Sequence, residues 1–210
     1  MDIYEALYTT RAMRRLKPDP IPYDVQARIL DAAIRAPNMA QGLRFLLVDD
    51  REIISRLAPL YRQAFERLFT QYGINIDDLL KADTWEGRAA RSGIYLARHF
   101  AEVPLLLIGF SRNKGGGSID QALWSAMLAA RAEGVGSTWT GVLQTYCTDE
   151  AFDILGVPKD AGWYMHGVIP MGYPLGKWAV TPRKPVHEVA ARNSWQGDLG
   201  FTVTEPLWPG

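Results

Sequence analysis

A chain of 210 residues, 48 % of them apolar, has the length of one ordinary domain and enough hydrophobic side chains for a sizeable core. Its 23 basic and 23 acidic side chains cancel, which argues against a bulk electrostatic affinity for nucleic acid or a membrane surface. The one cysteine, Cys147, excludes an internal disulfide and fits a reducing compartment. No basic stretch followed by an apolar core opens the chain, and the longest apolar run, Val103 to Phe110, is too short to span a bilayer. A cytoplasmic location is expected.

Residues Met1 to Thr9 read as a short helix, with Ile3, Ala6 and Leu7 at helical spacing. Pro22 suits a helix start and opens a predicted helix to Ala36, with Val25, Ile29, Leu30, Ala33 and Ile34 on one face. Arg44 to Val48 is a predicted strand. Asp49 or Asp50 can cap a long helix running through Ile53, Ile54, Leu57, Leu60, Ala64, Leu68 and Phe69. The mixed polar stretch from Gln71 to Arg88 gives no clear period. A helix over Ala89 to Phe100 and a strand over Pro104 to Phe110 come next.

The loop Asn113 to Ser118 then leads into a helix to Glu133 that is apolar or small on nearly every side, as befits a buried helix or one between subunits. Gly134 to Trp139 reads as a turn and strand, Asp149 to Leu155 as a short helix, and Trp163 to Met171 as a strand. The remainder is rich in Pro and Gly, yet it carries Trp178, Trp195, Phe201 and Trp208. Such aromatic content does not suit a disordered tail; it suits an arm packed on another surface.

Two constellations carry candidate chemistry. Arg11, Arg14, Arg15 and Lys17 fall within seven residues before the stiff Pro18-Asp19-Pro20, and arginine forks match phosphate oxygens bidentately. A solvated basic face is the plain alternative. The second is Gly136-Ser137-Thr138-Trp139-Thr140-Gly141, a glycine-containing strand end where backbone can approach a ligand closely. Neither a dinucleotide-binding glycine fingerprint nor a phosphate-binding Walker loop is present. His99, His166 and His187 lack ligand spacing, Cys147 has no base beside it, and Ser137 lacks a hydrolase elbow, so no metal site or nucleophile is expected.

The order Arg11-Ala12-Met13-Arg14-Arg15-Leu16, Lys17-Pro18-Asp19-Pro20, Ile21-Pro22, helix, Ala36-Pro37, polar loop, Arg44-Phe45 and strand resembles the opening of the FMN-dependent nitroreductase family. Ser118 to Ala122, Leu128 to Ser137, Ile169 to Pro174 and Arg183-Lys184-Pro185-Val186 continue the resemblance. It implies an α+β sandwich, with a mixed, mainly antiparallel sheet among helices, assembled as an intertwined homodimer. Residues 1–210 would then form one domain, with 175–210 as an arm packed on the partner subunit. It also implies FMN as cofactor and NAD(P)H as transient reductant. Hydride would pass through flavin N5 to a nitroaromatic, quinone or similar electron-poor acceptor, with no catalytic side chain required.

By the same resemblance Arg11, Ala12, Met13 and Arg14 hold the flavin phosphate together with Arg183. Asn38 or Gln41 meets the flavin ring or ribityl chain. Trp139, Thr140 and Gly141 lay backbone against the ring, an N–H there facing N5. The chain departs from many relatives at Ala12, which replaces a serine, and in the loop Asn38 to Leu43, which is shorter by about two residues and ends in Leu where others have Trp. These departures keep open an alternative, a flavin-binding or regulatory protein of the same fold with little turnover. A deazaflavin in place of FMN also stays open. A flavin-destructase branch is disfavoured, because Asn38 to Leu43 lacks its loop pattern.

Overall fold

The computed structural model describes residues 1–38 and 41–208. The chain divides into two compact units, Ala12–Lys177 and a second made of Met1–Arg11 with the C-terminal stretch from Trp178.

The larger unit is built on a four-stranded antiparallel sheet of β1 (Leu43–Val48), β2 (Leu105–Ser111), β3 (Gly136–Ser137) and β4 (Tyr164–Gly172), in the spatial order β1-β2-β4-β3. Strand β2 reads Leu-Leu-Leu-Ile-Gly-Phe-Ser and every residue in it is buried. Period-2 alternation sends Leu105 and Leu107 to one face of the sheet and Leu106, Ile108 and Phe110 to the other. The first face is covered by α2 (Tyr23–Ala33) and α6 (Ser118–Ala132), through Ile29, Ala33, Ile119, Leu123 and Met127. The second is covered by α3 (Arg51–Gln71), α5 (Trp85–Arg98) and the short helices α7 (Val142–Tyr146) and α8 (Thr148–Leu155), around Leu57, Tyr61, Leu96 and Phe100. This is the sandwich expected from the resemblance.

Local chemistry explains most element ends. Asp50 caps α3, its carboxylate accepting from Glu52 N at 2.8 Å and Ile53 N at 3.2 Å. Asp50→Ala is expected to lower stability by about 1 kcal/mol, read from the urea midpoint at unchanged m-value. Pro22 stands just before α2 rather than inside it. The stretch without a clear period, Gln71 to Arg88, holds α4 (Ile76–Lys81) and the start of α5, and α4 buries none of its residues, which is why no apolar period shows there. Helix α7 also has no counterpart among the predicted elements; five residues are too few for a period. Helix α6 buries one face from Ile119 to Arg131 and leaves Trp124 exposed, and Leu123 sits against the paired glycines of β2 and β4: a Cβ on Gly109 would lie 2.8 Å from a Leu123 methyl.

The smaller unit holds α1 (Ile3–Thr9) and the four-residue α9 (Val186–Val189). Within it the Tyr8 and Trp208 rings lie 5.8 Å apart and the Arg192 guanidinium stands over Phe201. None of residues 178–208 is buried, and Trp195, Phe201 and Leu207 are exposed.

Candidate flavin site

The basic segment after Arg11 is an extended strap laid along the edge of the sheet at β3. Met13 N–H donates to Ser137 O at 2.9 Å, Lys17 N–H to Tyr173 O at 2.8 Å, and Leu175 N–H to Arg15 O at 2.9 Å. Arg51 adds a tie from its guanidinium to Pro18 O at 3.0 Å. Close approach of strap and strand needs a glycine: a Cβ on Gly136 would stand 2.9 Å from Met13 Cβ. The Met13 side chain is buried there, so this residue serves packing; Ala12 pairs its backbone with Ser137 and is exposed.

Pinning the strap decides the fate of its cations. Arg15 stacks over the Tyr95 ring at 4.9 Å, a structural use. Arg14 is half-buried, makes no salt bridge among the described residues, and burial pulls its guanidinium below the usual arginine range, with the nearby Tyr61 phenol opposing. A half-buried cation without a counterion is costly unless an anion completes it. Arg14 is therefore the cation in this unit best suited to hold one.

Tyr61 was not among the residues singled out from sequence. It stands in the apolar stripe of α3 with Leu57, Ala58 and Ala64 and is 2 % exposed. Burial pushes its phenol up, while Thr140 and Arg14 beside it pull the other way. A tyrosine on a core stripe, whose hydroxyl needs a polar neighbour, is the signal that could have marked it. Thr140 Oγ1 lies within influence of that phenol but forms no hydrogen bond of sound geometry. With Thr138 Oγ1 it is a buried hydroxyl without a partner.

The same turn leaves backbone donors open. Thr138 N–H donates to Pro170 O at 3.3 Å and Thr140 N–H to Val168 O at 3.0 Å, so the alternation of an extended segment directs the Trp139 N–H away from β4. The Trp139 indole packs against Gly167, where a Cβ would meet Nε1 at 2.7 Å. What Trp139 can offer a ligand is its N–H rather than its ring. Gly141 follows at the start of α7. Orphan hydroxyls, a free N–H and an uncompensated arginine around one turn match a ligand that combines a polar ring edge with an anion.

The other expected contacts lie elsewhere. Gln41, at φ 49°, folds back on its own loop and donates to Asn38 O at 3.2 Å; Met39 and Ala40 between them lie outside the described residues. This loop feeds β1, on the sheet edge opposite β3. Thr140 bridges to Val168, which is in register with Ile108 and hence with Leu46. Three strand spacings across and about five residues along put Gln41 on the order of 20 Å from Thr140 within one chain. Arg11 and Arg183 belong to the smaller unit. Its cleft of about 740 Å³ is lined by Thr10, Thr181, Arg183, Lys184 and Phe201 among others. Thr181 Oγ1 there is again a buried hydroxyl without a partner.

Among the described residues no cluster of three or more His, Cys, Asp or Glu could hold a metal, and no helix is long and apolar enough to cross a membrane. Cys147 is 1 % exposed and burial pushes its thiol up, with the Arg67 guanidinium opposing. At about pH 8.5, where a free cysteine is roughly half thiolate, native Cys147 is expected to resist a thiol reagent that labels it fully after denaturation.

The Nitroreductase family model matches residues 7–173. The chain belongs to the nitroreductase family. Solved structures agree with this fold. Oxidised iodotyrosine deiodinase bound to FMN and 3-iodo-L-tyrosine superposes with a TM-score of 0.72 at 19 % identity, covering 92 % of this chain and 100 % of that one. Nitroreductase A from Vibrio parahaemolyticus RIMD 2210633 gives a TM-score of 0.68 at 19 % identity, covering 93 % and 78 %. A nitroreductase with bound FMN from Bacteroides fragilis NCTC 9343 gives 0.63 at 23 % identity, covering 87 % and 94 %. The strap and the turn after β3 both fall inside the matched span, whereas Arg183 lies beyond it.

Proposed function

We propose that this nitroreductase-family chain is an FMN-dependent oxidoreductase that works as a homodimer. It would take hydride from NAD(P)H and reduce nitroaromatic, quinone or similar electron-poor acceptors. The observation that carries the reading is the half-buried, uncompensated Arg14 beside a turn with free backbone donors and orphan hydroxyls. FMN supplies a ring that accepts hydride at N5 and passes electrons on to the second substrate.

The protein's part is to bind and orient. Arg14 holds the phosphate, and Ala12 and Met13 present the strap's backbone to it. The N–H groups of Trp139 and Gly141 and the Thr140 hydroxyl fix the ring edge, fixed dipoles that tune a developing charge without a titrating group. Gln41 sits too far from Thr140 to share a ligand with it inside one chain, and two copies remove that difficulty: each loop serves its partner's site. The exposed aromatic and aliphatic side chains of the arm point the same way, since a second copy gives Trp195, Phe201 and Leu207 a surface to cover. On this reading the fold needs no other macromolecular partner, and a cytoplasmic location suits its reductant.

The visible spectrum of the purified protein tests it. A flavin absorption that bleaches with NADH or NADPH under anaerobic conditions, and returns with a nitroaromatic or quinone, is the expected result. Flavin that stays oxidised with both nicotinamides would shift the reading to a flavin-binding protein with little turnover.

A further inference from the structure

A second cleft, of about 400 Å³, opens on the helical face of the larger unit away from the strap, and His166 lines it with Lys114, Gln144, Asp149 and Trp163. His166 owes its position to an irregularity in the sheet. The register runs Gly109↔Gly167 and then Phe110↔Met165, so His166 is the extra residue of a β-bulge, a device that re-aims one side chain.

Its ring state follows from its neighbours. Ser111 Oγ lies 2.8 Å from Asn113 O, and two oxygens at that distance need the hydroxyl hydrogen between them. Ser111 Oγ also accepts from Asn113 N–H at 3.1 Å. It therefore has only a lone pair left for His166 Nε2 at 2.9 Å, and Nε2 must be the protonated nitrogen. Nδ1 has no protein partner among the described residues, and His166 is 8 % exposed.

A second acceptor lines the same cleft, since Gln144 Oε1 is buried without a partner. The Asp149 carboxylate adds a third. Lys159 is spent on Asp153 at 2.7 Å, which leaves Lys114 as the unpaired cation of the lining. Phe152 and Trp163 supply flat apolar walls, the latter held by Arg112, whose guanidinium stands 4.7 Å over the ring and donates to Ala161 O. A buried acceptor without a donor, as Gln144 Oε1 is, is costly, and a ligand that brings N–H groups on a flat body would complete it.

We propose that this cleft is a second small-molecule site, distinct from the flavin site, that takes a single-ring aromatic amide or amine whose N–H groups donate to His166 Nδ1 and Gln144 Oε1. Gln144 also touches the flavin turn, its amide standing 3.5 Å from where a Gly141 Cβ would be, so occupancy bears on that turn through one side chain.

The test is a long-range proton–nitrogen spectrum of the histidine rings in the purified protein, titrated with benzamide and separately with methyl benzoate, which has the same shape and no N–H. The expected result is an Nε2-protonated His166 whose Nδ1 signal shifts with benzamide and not with the ester. His166→Phe should weaken benzamide binding about tenfold, the factor for one hydrogen bond, read from the Trp163 indole N–H signal. A protonated Nδ1, an unmoved Nδ1 signal, or equal shifts with both probes would overturn the proposal. The titration of the unmodified protein decides this even if the variant fails to fold, and its readout is independent of flavin turnover.

Discussion

Arg14→Leu is expected to purify as a folded protein that has lost its flavin, with FMN affinity down roughly a hundredfold, about 3 kcal/mol, when the apoprotein is titrated. The size follows from the site. A charge-assisted contact from a half-buried guanidinium to a phosphate is among the stronger hydrogen bonds a protein makes, and no carboxylate among the described residues competes for Arg14. Arg15→Leu is the control. Its guanidinium rests on Tyr95, so FMN affinity should change by no more than about two- to threefold. Stability gives an independent sign. Without ligand, Arg14 carries a desolvation cost that no carboxylate among the described residues offsets, so apo Arg14→Leu should be at least as stable as the apo parent protein. A flavin retained at full affinity by Arg14→Leu would remove the strap from the site.

Phe100→Ala should bring the largest loss of stability that one side chain can cause in this unit, about 3–5 kcal/mol. Phe100 is fully buried and its ring stacks on Tyr61 at 4.1 Å between centroids, in the cluster that joins α3, α5 and the far face of the sheet. For a domain of this size a loss of that order lowers Tm by about 10 °C or more, measured by thermal unfolding of the apoprotein so that cofactor release does not mask it. A second consequence reaches the site. Tyr61 sits beside both Arg14 and Thr140, and a cavity behind its ring lets the phenol move. FMN affinity should fall as well, though by less than in Arg14→Leu. A Tm within about 2 °C of the parent would mean that this stack does not bear on the core.

Much of the fold was legible in the residues. Leu-Leu-Leu-Ile in β2 announces a strand buried on both faces, and the small, apolar surface of α6 announces a central helix. Asp50 marked the start of α3 through the oxygen that its first free N–H groups require. The cluster Arg11 to Lys17 pointed to an anion. Which of its cations stays uncompensated was not legible, because that depends on Tyr95 lying beneath Arg15 and on hydrogen bonds to Ser137 and Tyr173 more than 120 residues away.

The chain by itself determined its periods, its caps and the family order of its motifs, since these rest on local geometry and on side chains a few residues apart. Tertiary structure alone decided that the Trp139 indole belongs to the core while its N–H is free. It also set the loop of Asn38 and Gln41 at the opposite sheet edge from Thr140, and raised His166 on a bulge with one nitrogen unspent. Each of these follows from strand order and register, which pair residues with no neighbourhood in sequence, so no local pattern could have carried them.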